Sequence, residues 1–209
     1  RPVGILNGVD TTEWNPATDP LIAARYDADH LDGKAVCKAA LQKRAGFPVE
    51  PRTPLLGVVS RLDYQKGIDL LDALFPRLKS LGARLVLLGS GQPELQAMLR
   101  RAQQAYPDRV HVCARFDAKL AHEIEAGSDI FLMPSRYEPC GLNQMYSMKY
   151  GTLPVVRATG GLCDTVIHAS PGAVADGSAT GFRFDVPDAP SFLRAVGQAV
   201  ETYYSRPDV

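Results

Sequence analysis

Residues 129–158 read DIFLMPSRYEPCGLNQMYSMKYGTLPVVRA, and the way this stretch divides decides the fold. DIFLMP (129–134) and LPVVRA (153–158) are short apolar runs rich in branched side chains, the pattern of strands buried on both faces. Between them Pro134 closes the first run, Glu138-Pro139 holds the backbone extended, and a helix is expected from about Leu142. A strand, a helix and a second strand make a βαβ unit, whose crossover leaves the two strands parallel.

The same alternation extends in both directions. LLGVVS (55–60), RLVLLGS (84–90), RVHVCA (109–114) and a short GFRF (181–184) read as further strands. Leu95, Met98, Leu99 and Ala102 recur at helical spacing, as do Leu193, Val196 and Val200, so each helix can lay one apolar stripe on a sheet. The expected class is α/β, a Rossmann-like doubly wound parallel sheet with helices on both faces. A helix is also expected after the first strand, fed by the loop SRLDYQKG (60–67).

Residues 1–54 differ, carrying Pro2, Pro16, Pro20, Pro48, Pro51 and Pro54 with one helical stretch, GKAVCKAALQKRAG (33–46). The segment NGVDTTEWNP (7–16) has Asn-Gly turn chemistry, and Trp14 reads as a packing anchor. The whole chain, 1–209, is read as one Rossmann-like domain: a loop-rich leading segment plus helix over 1–54, then βα units over 55–209.

Composition removes several classes. A chain of 209 residues that is 45% apolar can bury a core. Basic and acidic residues balance at 23 each, so no net field favours nucleic acid or an anionic membrane, and an anion site must come from local donors. Cys37, Cys113, Cys140 and Cys163 form no Cys-x-x-Cys, and no His completes a ligand spacing. No metal site and no disulfide framework are expected, and the thiols read as reduced and intracellular. No run of 18 apolar residues and no signal-peptide pattern occurs, so a soluble protein is expected. The opening at Arg1, already in an apolar segment, reads as part of a longer protein.

Open parallel sheets bind ligands beyond the carboxyl ends of their strands, so the residues after each strand are the candidates. After the first come Arg61 and Lys66, a planar fork and a point charge five positions apart, suited to a diphosphate. Solvated loop cations are the alternative. After the second, Gly89-Ser90-Gly91 allows backbone to approach a ligand or simply to turn. After the third, Phe116 could stack on a base or pack in the core. After the fourth, Gly141 permits close approach beside the helix start, where Glu138 would repel a phosphate and so should face hydroxyls of a neutral group attached to it. That describes a sugar nucleotide. A helix cap or an ion pair with Arg136 is the alternative for Glu138, and a buried thiol is the alternative for Cys140. After the fifth, Thr159, Gly160 and Gly161 repeat the glycine theme. No Gly-x-x-x-x-Gly-Lys-Ser/Thr or Gly-x-Ser-x-Gly occurs, and His30, His111, His122 and His168 form no convincing base–nucleophile pattern, so a Walker loop is excluded and a hydrolase triad is disfavoured.

ILNGVDTTEWNP, VVSRLDYQKGIDLL, MPSRYEPCGLNQMYSMKYGTLPVVRATGGLCDTV and the closing SRP resemble the C-terminal nucleotide-binding domain of bacterial glycogen synthases and plant starch synthases. These are retaining GT-B glycosyltransferases that use ADP-glucose. The resemblance implies an α-1,4-glucan acceptor, no metal or other cofactor, and a cytoplasmic location, plastidial if the source is a plant. It also implies a partner domain absent here, the N-terminal GT-B half with its Lys-x-Gly-Gly-Leu loop, and no isolated synthase activity. By position, Arg61 and Lys66 match the diphosphate-neutralising pair, and Gly141, Leu142 and Asn143 the helix-start donors to phosphate and sugar. Glu138 matches the glutamate on glucose hydroxyls, Cys140 its loop neighbour, and Asn7 an active-site asparagine. Phe116 matches the aromatic beside adenine, while Thr159, Gly160 and Gly161 match the loop near the distal phosphate. Tyr146 stands where many related enzymes carry a ribose-binding glutamate, a change that favours the glycogen synthase branch. Another retaining enzyme using a UDP- or GDP-sugar, or a non-catalytic nucleotide sensor, are the competing readings.

Overall fold

The computed structural model describes residues 7–205, so Ile5-Leu6 of the ILNGVD segment and Arg206-Pro207 of the closing motif lie outside the described residues. In chain order the elements are α1 (Asp32–Arg44), β1 (Leu55–Val59), β2 (Arg84–Leu88), α2 (Pro93–Ala105), β3 (Val110–Cys113), α3 (Ala118–Gly127) and β4 (Ile130–Met133). There follow α4 (Asn143–Lys149), β5 (Leu153–Arg157), α5 (Gly161–Thr165), α6 (Pro171–Ala175), β6 (Phe182–Phe184) and α7 (Ala189–Ser205). The strands form one sheet in the order β3-β2-β1-β4-β5-β6, every pair parallel. All six expected strands are present.

Strand alternation builds two cores. Leu56 and Val58 of β1, Leu85 and Leu87 of β2, and Ile130 and Leu132 of β4 face one side, where they meet Leu95 and Leu99 of α2 and Phe192 and Val196 of α7. Their neighbours Leu55, Val86, Leu88 and Phe131 face the other, against Leu41 of α1 and Leu120 and Ile124 of α3. The chain builds outward from β1 to β3, then returns to add β4 through β6 on β1's other flank. That reversal falls between β1 and β4 and opens a crevice at their carboxyl ends.

The helix expected after β1 is not an α-helix. Three 3₁₀ turns, Tyr64–Lys66, Ile68–Ala73 and Phe75–Arg77, take its place. Gly67 in the left-handed region (φ 67°) separates the first two turns. Pro76 lacks an N–H and its ring would press on the Asp72 carbonyl in an α-helix. Ile68, Leu71, Leu74, Phe75 and Leu78 still reach the core.

The leading segment is stapled to α3 and α4. The Trp14 ring lies parallel between His122 and Tyr146, centroids 4.0 and 4.1 Å apart, which fulfils its reading as an anchor. Asp19 Oδ2 accepts from the Tyr150 hydroxyl at 2.6 Å and sits 2.7 Å from His122 Nδ1. Lys34 Nζ donates to the carbonyls of Ala126 and Tyr150 and to Thr152 Oγ1 at 3.1, 2.9 and 2.8 Å. Burial pulls that ammonium down to about 8, and pushes the nearby Glu125 carboxyl up to about 8. Ser147 Oγ lies 2.8 Å from Glu125 Oε2 and donates to the Asn143 carbonyl at 2.7 Å, so this buried acid props the first turn of α4. Among the described residues no helix is long and apolar enough to cross a membrane.

Candidate functional site

The loops at the carboxyl ends of β1 and β4 enclose a cleft of about 220 Å³, lined by Arg61, Lys66, Glu138, Gly141, Leu142 and Asn143 among others. Residues from two loops, 72 positions apart at Lys66 and Glu138, thus share one cavity. A second cleft of about 260 Å³ adjoins it through Val59, Ser60, Arg61 and Asn143, and adds Gly89 and Phe116. Phe116 is 89% exposed, so it is not a core residue but a bare ring at the rim.

Local chemistry fixes the cations. Asp63 Oδ1 accepts from the Lys66 N–H at 2.9 Å and caps the short turn that carries Lys66. A Cβ on Gly67 would stand 2.0 Å from the Pro134 carbonyl oxygen, so glycine lets this turn press on the end of β4. Arg136 clamps the two loops. Its backbone N–H donates to Gln65 O at 2.8 Å, and its guanidinium grips Asp69 through both arms at 2.6 and 2.8 Å.

Glu138 therefore does not pair with Arg136. It is 6% exposed, and its Oε2 accepts from Lys66 Nζ at 2.6 Å and from Ser135 Oγ at 3.2 Å. Arg61 Nη1 lies 3.0 Å from Asp63 Oδ2, with 69% of its side chain exposed toward the mouth. A carboxylate held by one cation, beside a second cation that is open to solvent, suits a ligand with an anionic part and a hydroxylated part.

The Asn143 side chain braces the cleft from within the fold. Its Nδ2 donates to Val59 O at 2.7 Å, tying the start of α4 across the crevice to β1. Thr159, Gly160 and Gly161 line neither cleft. Gly160 and Gly161 back the Glu138–Gly141 turn: the Gly161 N–H donates to the carbonyls of Glu138 and Pro139, each at 3.2 Å, and a Cβ on Gly160 would meet Glu138 O at 2.1 Å. Cys140 is half-buried in that same second layer, a free thiol like the other three. Asn7 is exposed and lies outside both clefts.

Three supporting residues escape a reading by position. Ser135 holds Glu138 from three residues upstream, and Asp63 holds Lys66 from the same distance. An oxygen-bearing side chain three before a candidate is the local capping pattern and is visible in sequence. Gln144 is fully buried and its Nε2 donates to Cys140 O, Gly141 O and Thr165 Oγ1 at 3.2, 3.1 and 3.1 Å, bracing the turn against α5. Nothing in the sequence marks that tie, because Thr165 is 21 residues away.

A parallel α/β sheet with a cation-lined crevice at its switch point is the frame of a nucleotide-sugar transferase domain. Residues 41–206 match the family described as glycosyl transferases group 1, and the chain belongs to that family. Within it, the chain is 51% identical over 205 residues to a glycogen synthase of Anaeromyxobacter dehalogenans strain 2CP-1, covering 97% of this chain and 42% of that protein. It is 50% identical to a glycogen synthase of Nitrosospira multiformis, covering 98% and 41%. Among solved structures, the catalytic domain of Arabidopsis thaliana starch synthase IV, bound to ADP and acarbose, superposes with a TM-score of 0.91 at 40% identity, covering 97% of this chain and 42% of that one. The chain therefore spans well under half the length of these relatives.

Proposed function

We propose that, in the full-length protein, this chain is the donor-binding half of a retaining GT-B enzyme that moves glucose from ADP-glucose to the non-reducing end of an α-1,4-glucan. The observation that carries the reading is the convergence of Arg61, Lys66, Glu138 and Gly141 on one cleft at the switch point. Its similarity to glycogen and starch synthases supports the choice of donor and acceptor. An N-terminal domain supplies the other wall and most acceptor contacts. The cytoplasm is the proposed location, or the plastid in a plant, and no metal takes part.

The diphosphate lies between Arg61 and Lys66, with adenine against the Phe116 ring in the adjoining cleft. As the bond from glucose C1 to the phosphate oxygen breaks, negative charge grows on that oxygen. Lys66 is already fixed by Glu138, so the site needs little reorganisation at that moment. The acceptor 4-hydroxyl forms the new bond at C1 on the face that ADP leaves, and its proton passes to the departing phosphate. Glu138 Oε2 is occupied by Lys66 and Ser135, which suits a carboxylate that orients glucose hydroxyls better than one that attacks carbon. Backbone N–H groups at Gly141 and Leu142 complete the phosphate contacts.

Incorporation of labelled glucose into glucan by the full-length protein tests the reading. Incorporation from ADP-glucose well above that from UDP-glucose is the expected result. Preference for UDP-glucose would place the chain with other retaining transferases. Nucleotide binding without incorporation from any donor would make it a sensor.

A further inference from the structure

Beyond the edge strand β6, a separate cleft of about 280 Å³ is lined by His168, Arg183, Asp185, Ser191, Arg194 and Gln198 among others. It shares no residue with the two clefts at the switch point. Among the described residues neither Arg183 nor Arg194 forms an ion pair, whereas Arg44, Arg84 and Arg136 each do. Arg183 is nonetheless half-buried, so its charge sits at the wall of the cleft with no described carboxylate within ion-pair distance.

Most of the donor capacity here is free. Arg183 gives one N–H to the Cys163 carbonyl at 3.3 Å, and Arg194 one to Ser191 Oγ at 2.8 Å, out of the five that each guanidinium carries. His168 Nδ1 accepts from the Arg183 backbone N–H at 3.1 Å, which puts the proton of the neutral ring on Nε2. The start of α7 is already capped, since Asp188 Oδ1 accepts from the Ser191 N–H at 2.8 Å, so the cleft owes its character to side chains and not to a helix end. Asp185 brings one carboxylate to the same wall.

We propose that this cleft binds a small organic phosphate. The phosphate dianion lies between Arg183 and Arg194 with His168 Nε2 as a further donor. Asp185 and Gln198 take the hydroxyls of the attached group, because a carboxylate repels phosphate and accepts from hydroxyls. Asp188 is near enough to Arg194 to feel its charge but is committed to the helix cap, so the dianion is recognised by the unspent guanidinium N–H groups, and the hydroxyl-seeking Asp185 carboxylate selects an ester over the bare ion.

Calorimetric titration of the full-length protein with glycerol 3-phosphate and with inorganic phosphate tests this. Lys66→Ala serves as the background, so that the donor cleft does not report. Glycerol 3-phosphate is expected to bind that background, and inorganic phosphate to bind more weakly. Adding Arg183→Gln with Arg194→Gln should weaken the ester by about tenfold or more. Arg194→Gln alone, at an exposed position, should weaken it by about threefold or more and guards against misfolding of the double change. Affinity unchanged by either set of substitutions, no ester binding up to about 20 mM, or inorganic phosphate binding more tightly than the ester would each overturn the proposal.

Discussion

Replacing Lys66 by Ala in the full-length protein separates chemistry from folding, because the ammonium serves both. Its Nζ lies 2.6 Å from Glu138 Oε2, and the two side chains are only 19% and 8% exposed. Removing one partner of a fully buried pair costs about 3–5 kcal/mol. Here the lysine is partly exposed and Ser135 Oγ still reaches the carboxylate, so the loss should be about 1–3 kcal/mol, a fall of several degrees in melting temperature. Losing a fixed charge at the leaving group should cost about 10²–10³-fold in turnover. Pairing it with Glu138→Gln gives the discriminating readout. A neutral amide needs no cation, so the double variant should recover most of the melting loss and none of the turnover. Scanning calorimetry and labelled-glucose incorporation measure the two. Recovery of turnover along with stability would refute the assignment of Lys66 to the leaving group and make the pair structural.

Phe116→Ala should leave melting unchanged, since the ring is 89% exposed, while weakening ADP by about tenfold in titration. Gly67→Ala forces a Cβ to within 2.0 Å of Pro134 O at φ 67°, so melting should fall by an amount corresponding to about 2 kcal/mol or more, with nucleotide affinity falling too. Glu125 is raised from 4.5 to about 8 in the folded state. The folded protein therefore holds this proton more tightly than the unfolded chain, and stability from this group is full below pH 4.5 and lost as pH rises toward 8. Glu125→Gln should flatten that slope, worth on the order of a few kcal/mol, in denaturant titrations across pH 5–8. A wild-type slope retained in the variant would contradict the assignment.

Much of the fold was legible because interior parallel strands must be apolar throughout. Such runs as LLGVV and IFLM admit few other readings. The connection after β1 was misread because Ile68, Leu71, Leu74, Phe75 and Leu78 point inward from 3₁₀ turns almost as they would from a helix. Pro76 and Gly67 were the signals against it. At the site, position alone found the cleft-lining residues, yet not their couplings. The Lys66–Glu138 pair bridges 72 residues, and Asn143 turned out to grip β1. The Glu125–Ser147 and Lys34 bonds were invisible because charged residues in a helical pattern ordinarily mark a solvated face.

Hydrogen exchange of the full-length protein with and without ADP tests the central claim most directly, because it reports where the nucleotide sits without presuming chemistry. Protection should concentrate on residues 60–67, 114–118 and 138–144, the loops that line the two adjoining clefts. Protection confined to other surfaces, with these three loops exchanging as fast as in the free protein, would contradict the account.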